Sequence, residues 1–345
     1  MRDAASRRST GDAALDADLV QLLDDVGADV NRNLLLEILV SAMRLALADH
    51  SRLDLKITAA AIEEMRQAFA LFEAFRDVPK VTIFGSARTR PDDPAYEAAR
   101  DLASELAELG WMVVTGAGPG IMAAGTEGAG PDMSLGVNIR LPFEQVANGF
   151  SEDTDRLVTM KYFFTRKLML IKESKGFVSL PGGFGTLDET YELLTLVQTG
   201  KADPTPIVLL DTPHGTYWRG WRHFVVTEVE AIGAISPSDH SLWFLTDDVG
   251  AACDEVTGFY ANYHSLRYVG DRLVMRMQRP VDDELLTRIS AAGADLTTDG
   301  RVTRTRALRP EVESDDVVDL ARIMLRYTTR HYGKLRPIID LVNQA

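Results

Sequence analysis

Three observations predict that most of this chain folds as an α/β protein with a doubly wound parallel sheet. Between residues 78 and 210, short β-type segments alternate with helical patterns. Each β-type segment is a continuous apolar run, which is typical of strands that helices cover on both faces. Several of these runs end in glycine-containing loops. The predicted architecture is therefore Rossmann-like, with an N-terminal helical extension and a small C-terminal α+β appendage.

The N-terminal region, residues 1–76, is predicted to be the helical extension. From Leu15 to about Phe75, apolar side chains recur at helical spacing, which indicates two or three helices. These helices carry more apolar surface than a peripheral arm should expose. We therefore expect a homo-oligomer, either a dimer or a higher assembly.

The central region, residues 77–262, is predicted to hold the sheet. Its β-type and helical segments alternate at 81–84, about 95–109, 111–115, 121–128, 134–139, about 162–174, 177–180, 187–198 and 206–210. Ligands of such sheets bind beyond the carboxyl ends of the strands. Three glycine-containing loops, at Gly85, 116–120 and 182–185, lie at those ends. The sequence therefore predicts one ligand site where these loops converge.

The C-terminal region, residues 263–345, is predicted to be the α+β appendage. A β-hairpin at 267–277 has a Gly-Asp turn. A helix at about 282–292, a strand at 301–306 and a helix at 315–330 complete this appendage.

Composition excludes several classes of function. The net charge of −14 makes a broad nucleic-acid or anionic-membrane surface improbable. Cys253 is the single cysteine, and the six histidines show no metal-ligand spacing, so we expect no disulfide within the chain, no metal and no cofactor. The most apolar stretch, 34–47, is too short to span a bilayer, and the first residues show no secretory signal. We expect a cytoplasmic protein.

The loop at 181–189, Pro-Gly-Gly-Phe-Gly-Thr-Leu-Asp-Glu, is the strongest indication of a site. A strand–turn–helix junction points backbone N–H groups at one spot, which is how proteins bind phosphate without a metal. Glu189 lies in the first turn of the predicted helix, beside this anion site. The spacing from Thr186 to Glu189 also fits a capping box, in which both side chains bond to the start of the helix. The two interpretations are compatible.

The loop at 116–120 is a weaker candidate for a dinucleotide site. Its spacing is Gly-x-Gly-x-Gly, and the next strand does not end at the acidic residue that would hold a ribose, so a standard NAD site is disfavoured. Arg166 and Lys167 lie on a mostly apolar helix. They are either solvated charges or the partners of a phosphate or of Glu189.

With these motifs in place, the chain resembles the LOG ("lonely guy") family in its long bacterial form, formerly mislabelled as lysine decarboxylases. The resemblance covers roughly residues 78–262. It is carried by Phe-Gly-Ser at 84–86, Gly-Ala-Gly-Pro-Gly-Ile-Met at 116–122, Arg-Lys at 166–167, the loop at 181–189, and the segments 138–145 and 198–201. It implies a nucleoside 5′-monophosphate phosphoribohydrolase, which hydrolyses the N-glycosidic bond of AMP or of a cytokinin riboside 5′-monophosphate. The products are the free base and ribose 5-phosphate.

The resemblance also implies roles for individual residues. Arg166 and Glu189 match the catalytic residues of the family. Together with the loop glycines, the candidate substrate-binding residues are Ser86, Gly116, Gly118, Glu144, Lys167, Gly182, Gly183, Gly185, Thr186, Leu187, Asp188 and Thr195. Short members have His-x-Arg-Lys where this chain has Phe164-Thr165-Arg166-Lys167, so the base that leaves stays open.

A non-catalytic protein of the same fold is the alternative. Molybdenum-cofactor carriers resemble this fold and hold a phosphorylated pterin at the same loop ends, and a nucleotide sensor would bind without releasing a base. On either interpretation the expected partner is a small phosphorylated molecule, not nucleic acid or a membrane.

Overall fold

The computed structural model of the chain describes residues 4–141, 154–327 and 332–345. The chain divides into two compact units, one that ends at Met65 and one that spans Arg66 to Ala345. Among the described residues, no helix is long and apolar enough to cross a membrane.

The first unit is helical, as the periodicity predicts. Its helices are α1 (Ala4–Arg7), α2 (Ala13–Asp25), α3 (Arg32–Leu47) and the first part of α4 (Arg52–Glu73). The Asp12 carboxylate caps α2 by accepting the N–H groups of Ala14 and Leu15. Helix α3 leaves Leu34 and Ile38 exposed. Oligomerisation through such apolar side chains stays a prediction.

The second unit is built on a seven-stranded parallel sheet. Its strands are β1 (Lys80–Phe84), β2 (Met112–Thr115), β3 (Ser134–Ile139), β4 (Leu157–Met160), β5 (Gly176–Ser179), β6 (Ile207–Leu210) and β7 (Phe244–Thr246). The spatial order is β4-β3-β2-β1-β5-β6-β7, so the chain moves outward from β1 in one direction and then returns to its other side. The predicted doubly wound, Rossmann-like sheet is confirmed, and its switch point lies between β1 and β5.

Helices cover both faces of this sheet. They are α5 (Pro94–Glu108), α6 (Ile121–Ala129), α7 (Phe163–Lys172), α8 (Phe184–Gln198), α9 (Tyr217–Phe224) and α10 (Val249–Gly258). Alternate residues of β1 point to opposite faces. Val81 and Ile83 join the fully buried core with α5 and α10. Between them, Thr82 donates its hydroxyl to the Leu170 carbonyl of α7, 2.9 Å away.

The C-terminal appendage contains a four-stranded antiparallel sheet in the order β10-β11-β9-β8. Its elements are β8 (Tyr263–Val269), β9 (Arg272–Met277), α11 (Asp283–Ala292), β10 (Thr297–Thr305), α12 (Arg309–Glu313), β11 (Ala321–Tyr327) and α13 (Leu335–Val342). The predicted hairpin is present as β8 and β9, and Gly270 takes the positive φ of 62° that its turn requires.

The helix predicted at 315–330 is wrong. Residues 321–327 form strand β11, which pairs with β9 on one side and with β10 on the other. Ile323, Leu325 and Tyr327 alternate into the core of the appendage. Ladder bonds on both sides together with this period-2 burial outweigh the local preference for a helix.

A buried ion cluster fixes α12 onto this sheet. The carboxylate of Glu311, which is fully buried, lies 2.8 Å from a nitrogen of Arg276 and 3.3 Å from one of Arg322. Burial alone would raise the pKa of Glu311, but the Leu308 N–H and the two guanidinium groups lower that pKa below its usual value.

Candidate active site

A cleft of about 940 Å³ opens at the carboxyl ends of β1, β2 and β5, next to the switch point of the sheet. It brings together eleven of the residues predicted from the sequence. They are Ser86, Gly116, Arg166, Lys167, Gly182, Gly183, Gly185, Thr186, Leu187, Asp188 and Glu189. Gly118 and Thr195 do not line this cleft, and Thr195 is exposed on α8. Glu144 lies outside the described residues.

Backbone hydrogen bonds join the three glycine-containing loops at this edge. The Ser86 N–H donates to the Pro181 carbonyl at 3.3 Å, which connects the loops that follow β1 and β5. The Ser86 carbonyl accepts the Ile121 N–H at 3.1 Å, which connects the β1 loop to the start of α6. Because Ser86 already accepts this N–H, the start of α6 does not offer it to a ligand.

Arg166 lies on α7 and is held by the main chain of two other elements. Its Nε donates to the Val137 carbonyl of β3 at 2.9 Å, and its Nη2 donates to the Gly116 carbonyl at 3.2 Å. The remaining terminal nitrogen, Nη1, lies 3.6 Å from Oε1 of Glu189. The guanidinium is therefore fixed by backbone oxygens and faces one carboxylate. It is not one of a solvated pair on an exposed helix.

Gly116 leaves the space that this guanidinium occupies. A Cβ atom built at residue 116 would lie 1.8 Å from Nη2 of Arg166, far inside any real contact. The first glycine after β2 is therefore required by the packing of Arg166.

Glu189 is a nearly buried carboxyl, with 14% of its side chain exposed. Burial raises the pKa of Glu189 to about 7, and the positive charge of Arg166 opposes this rise. Asp188, the adjacent acid, raises the pKa further. The site therefore holds a carboxyl group that changes its charge near neutral pH.

The helix that carries Glu189 begins earlier than the sequence predicts. Helix α8 starts at Phe184 with Gly183 as its N-cap, so Thr186 is the third residue of the helix and Glu189 lies in its second turn. The capping-box interpretation of the spacing from Thr186 to Glu189 is wrong, because no side chain caps this helix. The Glu189 side chain is thereby left to face the cleft.

The start of α8 offers unused hydrogen-bond donors to the cleft. In the part of the chain that the structure describes, the N–H groups of residues 183–186 have no acceptor. A Cβ atom at Gly183 or at Gly185 would meet no other atom within 4 Å, so the backbone at both positions is open. Unpaired N–H groups at the start of a 15-residue helix form a binding site for an anion.

Lys167 connects α7 to α8 beside this helix start. Its ammonium lies 3.0 Å from Asp188 and 2.7 Å from Glu192. Burial lowers the pKa of Lys167, but hydrogen bonds to Glu192 and Asp188 outweigh it and raise that pKa above its usual value. Lys167 therefore keeps its positive charge at the rim of the cleft.

Several residues that line the cleft have no signal in the sequence. Arg88, Phe163 and Tyr217 all contribute to its walls. The Tyr217 hydroxyl donates to the Gly182 carbonyl at 2.7 Å. These contacts join parts of the chain that are far apart in sequence, so no local motif marks them.

The tryptophans do not line the cleft. Trp221 stacks edge to face with Trp218 and with Trp243, at centroid distances of 5.9 and 5.2 Å. Among the described residues, no group of three or more His, Cys, Asp or Glu side chains is arranged to hold a metal ion.

The chain matches one family model and several curated relatives. Residues 116–256 match the family model described as possible lysine decarboxylase. The cytokinin riboside 5′-monophosphate phosphoribohydrolase of Mycobacterium tuberculosis is 29% identical over 160 residues, which are 44% of this chain and 80% of that protein. The protein of the same name from Mycobacterium marinum is 27% identical and covers 48% of this chain and 87% of its own length. The Arabidopsis thaliana relative LOG5 is 26% identical, with shares of 48% and 71%.

Solved structures also align with part of the chain. The molybdenum cofactor binding protein of Rippkaea orientalis covers 52% of this chain and 95% of its own, at 19% identity and a TM-score of 0.37. The family model covers residues 116–256, which include Arg166, Lys167 and Glu189 of the cleft. The family model and the curated relatives support assignment of this segment to the LOG family.

Proposed function

We propose that this protein hydrolyses the N-glycosidic bond of a nucleoside 5′-monophosphate. Water and the nucleotide give the free base and ribose 5-phosphate. The observation that carries the proposal is the juxtaposition in one cleft of the Arg166–Glu189 pair and the open helix start at residues 183–186. The Arg166–Glu189 pair supplies a charge for the reacting sugar carbon, and the open helix start supplies a binding site for the phosphate.

The 5′-phosphate is proposed to bind at the start of α8. The unpaired N–H groups of residues 183–186 and the positive end of the helix dipole attract a dianion without a metal. Glu189 lies in the next turn of the same helix. A ribose anchored by its phosphate would therefore have its reacting carbon directed toward Glu189.

Glu189 is proposed to act in its ionised form. Cleavage of the glycosidic bond builds positive charge on the ribose ring, which a nearby carboxylate stabilises. The same carboxylate can take a proton from the attacking water, and a pKa of about 7 suits a general base at neutral pH. Both roles require the charged form, so activity should fall as the pH drops below 7.

Arg166 is proposed to keep Glu189 charged and oriented. The guanidinium is held by two backbone carbonyls and directs its third nitrogen at the carboxylate. Arginine does not lose its proton in proteins, so this positive charge persists at every relevant pH. The relatives are named as cytokinin riboside 5′-monophosphate phosphoribohydrolases, which supports a substrate of the same class.

The test is to incubate the purified protein with AMP, with isopentenyladenosine 5′-monophosphate and with adenosine. Chromatography then follows free base and ribose 5-phosphate. We expect base release from at least one nucleotide and little from adenosine, which lacks the phosphate.

Glu189→Gln should lower turnover by about 100-fold or more, which is the usual contribution of a general base. Glu173→Gln is the matched control, since Glu173 is similarly buried, with 17% of its side chain exposed, and is paired with Lys172 away from the cleft. Equal turnover in Glu189→Gln and wild type would remove Glu189 from the mechanism. Tight nucleotide binding without base release, or a co-purifying pterin, would instead favour the non-catalytic alternative.

A further inference from the structure

Tyr217 reaches the proposed phosphate site from a part of the chain outside the glycine-containing loops. It is the first residue of α9 and lines the cleft. Its hydroxyl donates to the carbonyl of Gly182, with an O···O distance of 2.7 Å across 35 residues of sequence. Gly182 is followed by Gly183, the N-cap of the helix whose open amides face the cleft.

The tyrosine is held in a fixed turn. Asp211, at the end of β6, accepts the N–H of Thr212 at 2.9 Å and the N–H of Trp218 at 3.1 Å. A Cβ atom at residue 215 would lie 2.0 Å from Oδ1 of Asp211, so the turn closes tightly around this carboxylate. Trp218 is fully buried and packs edge to face on the Tyr217 ring at 4.8 Å. The Tyr217 hydroxyl is therefore held in position by a rigid turn.

The peptide between Gly182 and Gly183 needs such a partner. A peptide unit between two glycines has no Cβ on either side, so its plane rotates to the reversed orientation more easily than that of other peptides. Because the unit is planar and trans, its carbonyl and its N–H point in opposite directions. While the Gly182 carbonyl accepts the Tyr217 hydroxyl, the Gly183 N–H is directed away from Tyr217 and stays available. The reversed peptide would present a carbonyl oxygen in place of this donor.

We propose that Tyr217 is a positioning residue for the phosphate: it locks the peptide between residues 182 and 183 so that the Gly183 N–H donates to the 5′-phosphate of the substrate. Tyr217 contacts the loop that binds the phosphate and not the reacting atoms, so it affects the binding of the phosphate. The proposal rests on the proposed function, since it assigns the same cleft to a phosphorylated ribose.

The experiment compares Tyr217→Phe with wild type. This variant keeps the ring and its packing on Trp218 and removes the hydroxyl alone. Tyr191→Phe is the matched control, because the Tyr191 hydroxyl also takes part in one hydrogen bond, as the acceptor of the Trp221 Nε1–H at 2.9 Å, and Tyr191 does not line the cleft. Calorimetry measures binding of ribose 5-phosphate and of adenosine, and steady-state kinetics measure KM and kcat for the nucleotide that wild type cleaves.

Loss of one hydrogen bond predicts that Tyr217→Phe binds ribose 5-phosphate about three- to tenfold more weakly and raises KM by a similar factor. The kcat and the affinity for adenosine should stay at their wild-type values, and Tyr191→Phe should resemble wild type throughout. Unchanged binding of ribose 5-phosphate in Tyr217→Phe would overturn the positioning role and leave the proposed function intact. Equal weakening for adenosine and ribose 5-phosphate would also overturn it, since that pattern marks a general structural defect.

A measurement on the wild-type protein tests the same contact without a variant. In protein labelled with ¹⁵N-glycine, the Gly183 amide resonance should shift when ribose 5-phosphate is added. A Gly183 resonance that does not move while ribose 5-phosphate binds would overturn the proposal. Wild-type protein that neither binds ribose 5-phosphate nor releases a base would overturn the proposed function itself.

Discussion

Burial raises the pKa of Glu189 to about 7, so the folded protein holds this carboxylate at a cost to its own stability. The unfolded chain would ionise Glu189 near its ordinary value of 4.5. An acid whose pKa is higher in the folded state favours folding only while it is protonated. The folded state therefore loses stability as the pH rises from about 4.5, and the loss is complete above about 7.

The size of this loss follows from the pKa difference. One pH unit corresponds to about 1.4 kcal/mol, so the rise from 4.5 to about 7 costs about 3 kcal/mol at pH 8. At pH 5 most of the Glu189 is protonated in the folded state, and the cost is below about 1 kcal/mol. Glu189→Gln replaces the charged group by a neutral one of the same shape. It should raise the free energy of unfolding at pH 8 by up to about 3 kcal/mol, although it lowers turnover.

Thermal unfolding at pH 5 and pH 8 checks this expectation. For a chain of this length, about 3 kcal/mol corresponds to an increase in Tm of about 4–5 °C, which should appear at pH 8 and nearly vanish at pH 5. Glu173→Gln is the control and should gain nothing at pH 8, because it loses its ion pair with Lys172. A Glu189→Gln protein that is less stable than wild type at pH 8, or equally stabilised at both pH values, would refute the reasoning.

Three further perturbations test the surroundings of the site and the appendage. In a pH–rate profile, the rate should rise through about pH 7 as Glu189 ionises. Arg166→Gln should move this rise to a pH at least about one unit higher, since it removes a positive charge 3.6 Å from Glu189. Gly116→Ala should lower turnover by about 100-fold or more at unchanged KM, because its methyl group would displace the guanidinium of Arg166. Glu311→Ala should destabilise the protein by about 3–5 kcal/mol in urea unfolding, because two buried arginines lose their carboxylate.

For each of the three variants, one outcome would contradict the expectation. If the rate of Arg166→Gln rises at the same pH as that of wild type, the guanidinium does not set the charge of Glu189. Full activity in Gly116→Ala would show that Arg166 tolerates displacement. A Glu311→Ala protein as stable as wild type would show that the two arginines find other partners or water.

The sequence predicts the sheet of this fold well because the information is local. A buried parallel strand is a continuous apolar run, and β1, β2, β3, β5 and β6 all show this pattern. The two edge strands, β4 and β7, are short and half-buried, so they lack it. The glycine-containing loops mark the site from sequence because each directly follows one of the predicted strands.

The features that sequence reasoning misses depend on contacts between distant residues. The pattern from Thr186 to Glu189 is a capping signal in isolation, but the turn after β5 starts the helix at Phe184 and changes the role of both residues. The Tyr217 contact spans 35 residues and leaves no local trace. Strand β11 is specified by its two neighbours in the sheet more than by its own residues.

The way in which Arg166 is anchored has a consequence for how this site can diverge in sequence. Its two fixed partners are the main-chain oxygens of Val137 and Gly116, and every amino acid carries such an oxygen. Mutation at position 137 can change the side chain and still leave the acceptor in place. Position 116 tolerates no such drift, because the absence of a side chain is itself the requirement. Distant homologues can therefore differ across most of the surrounding strand and still hold the same arginine, provided that one glycine remains.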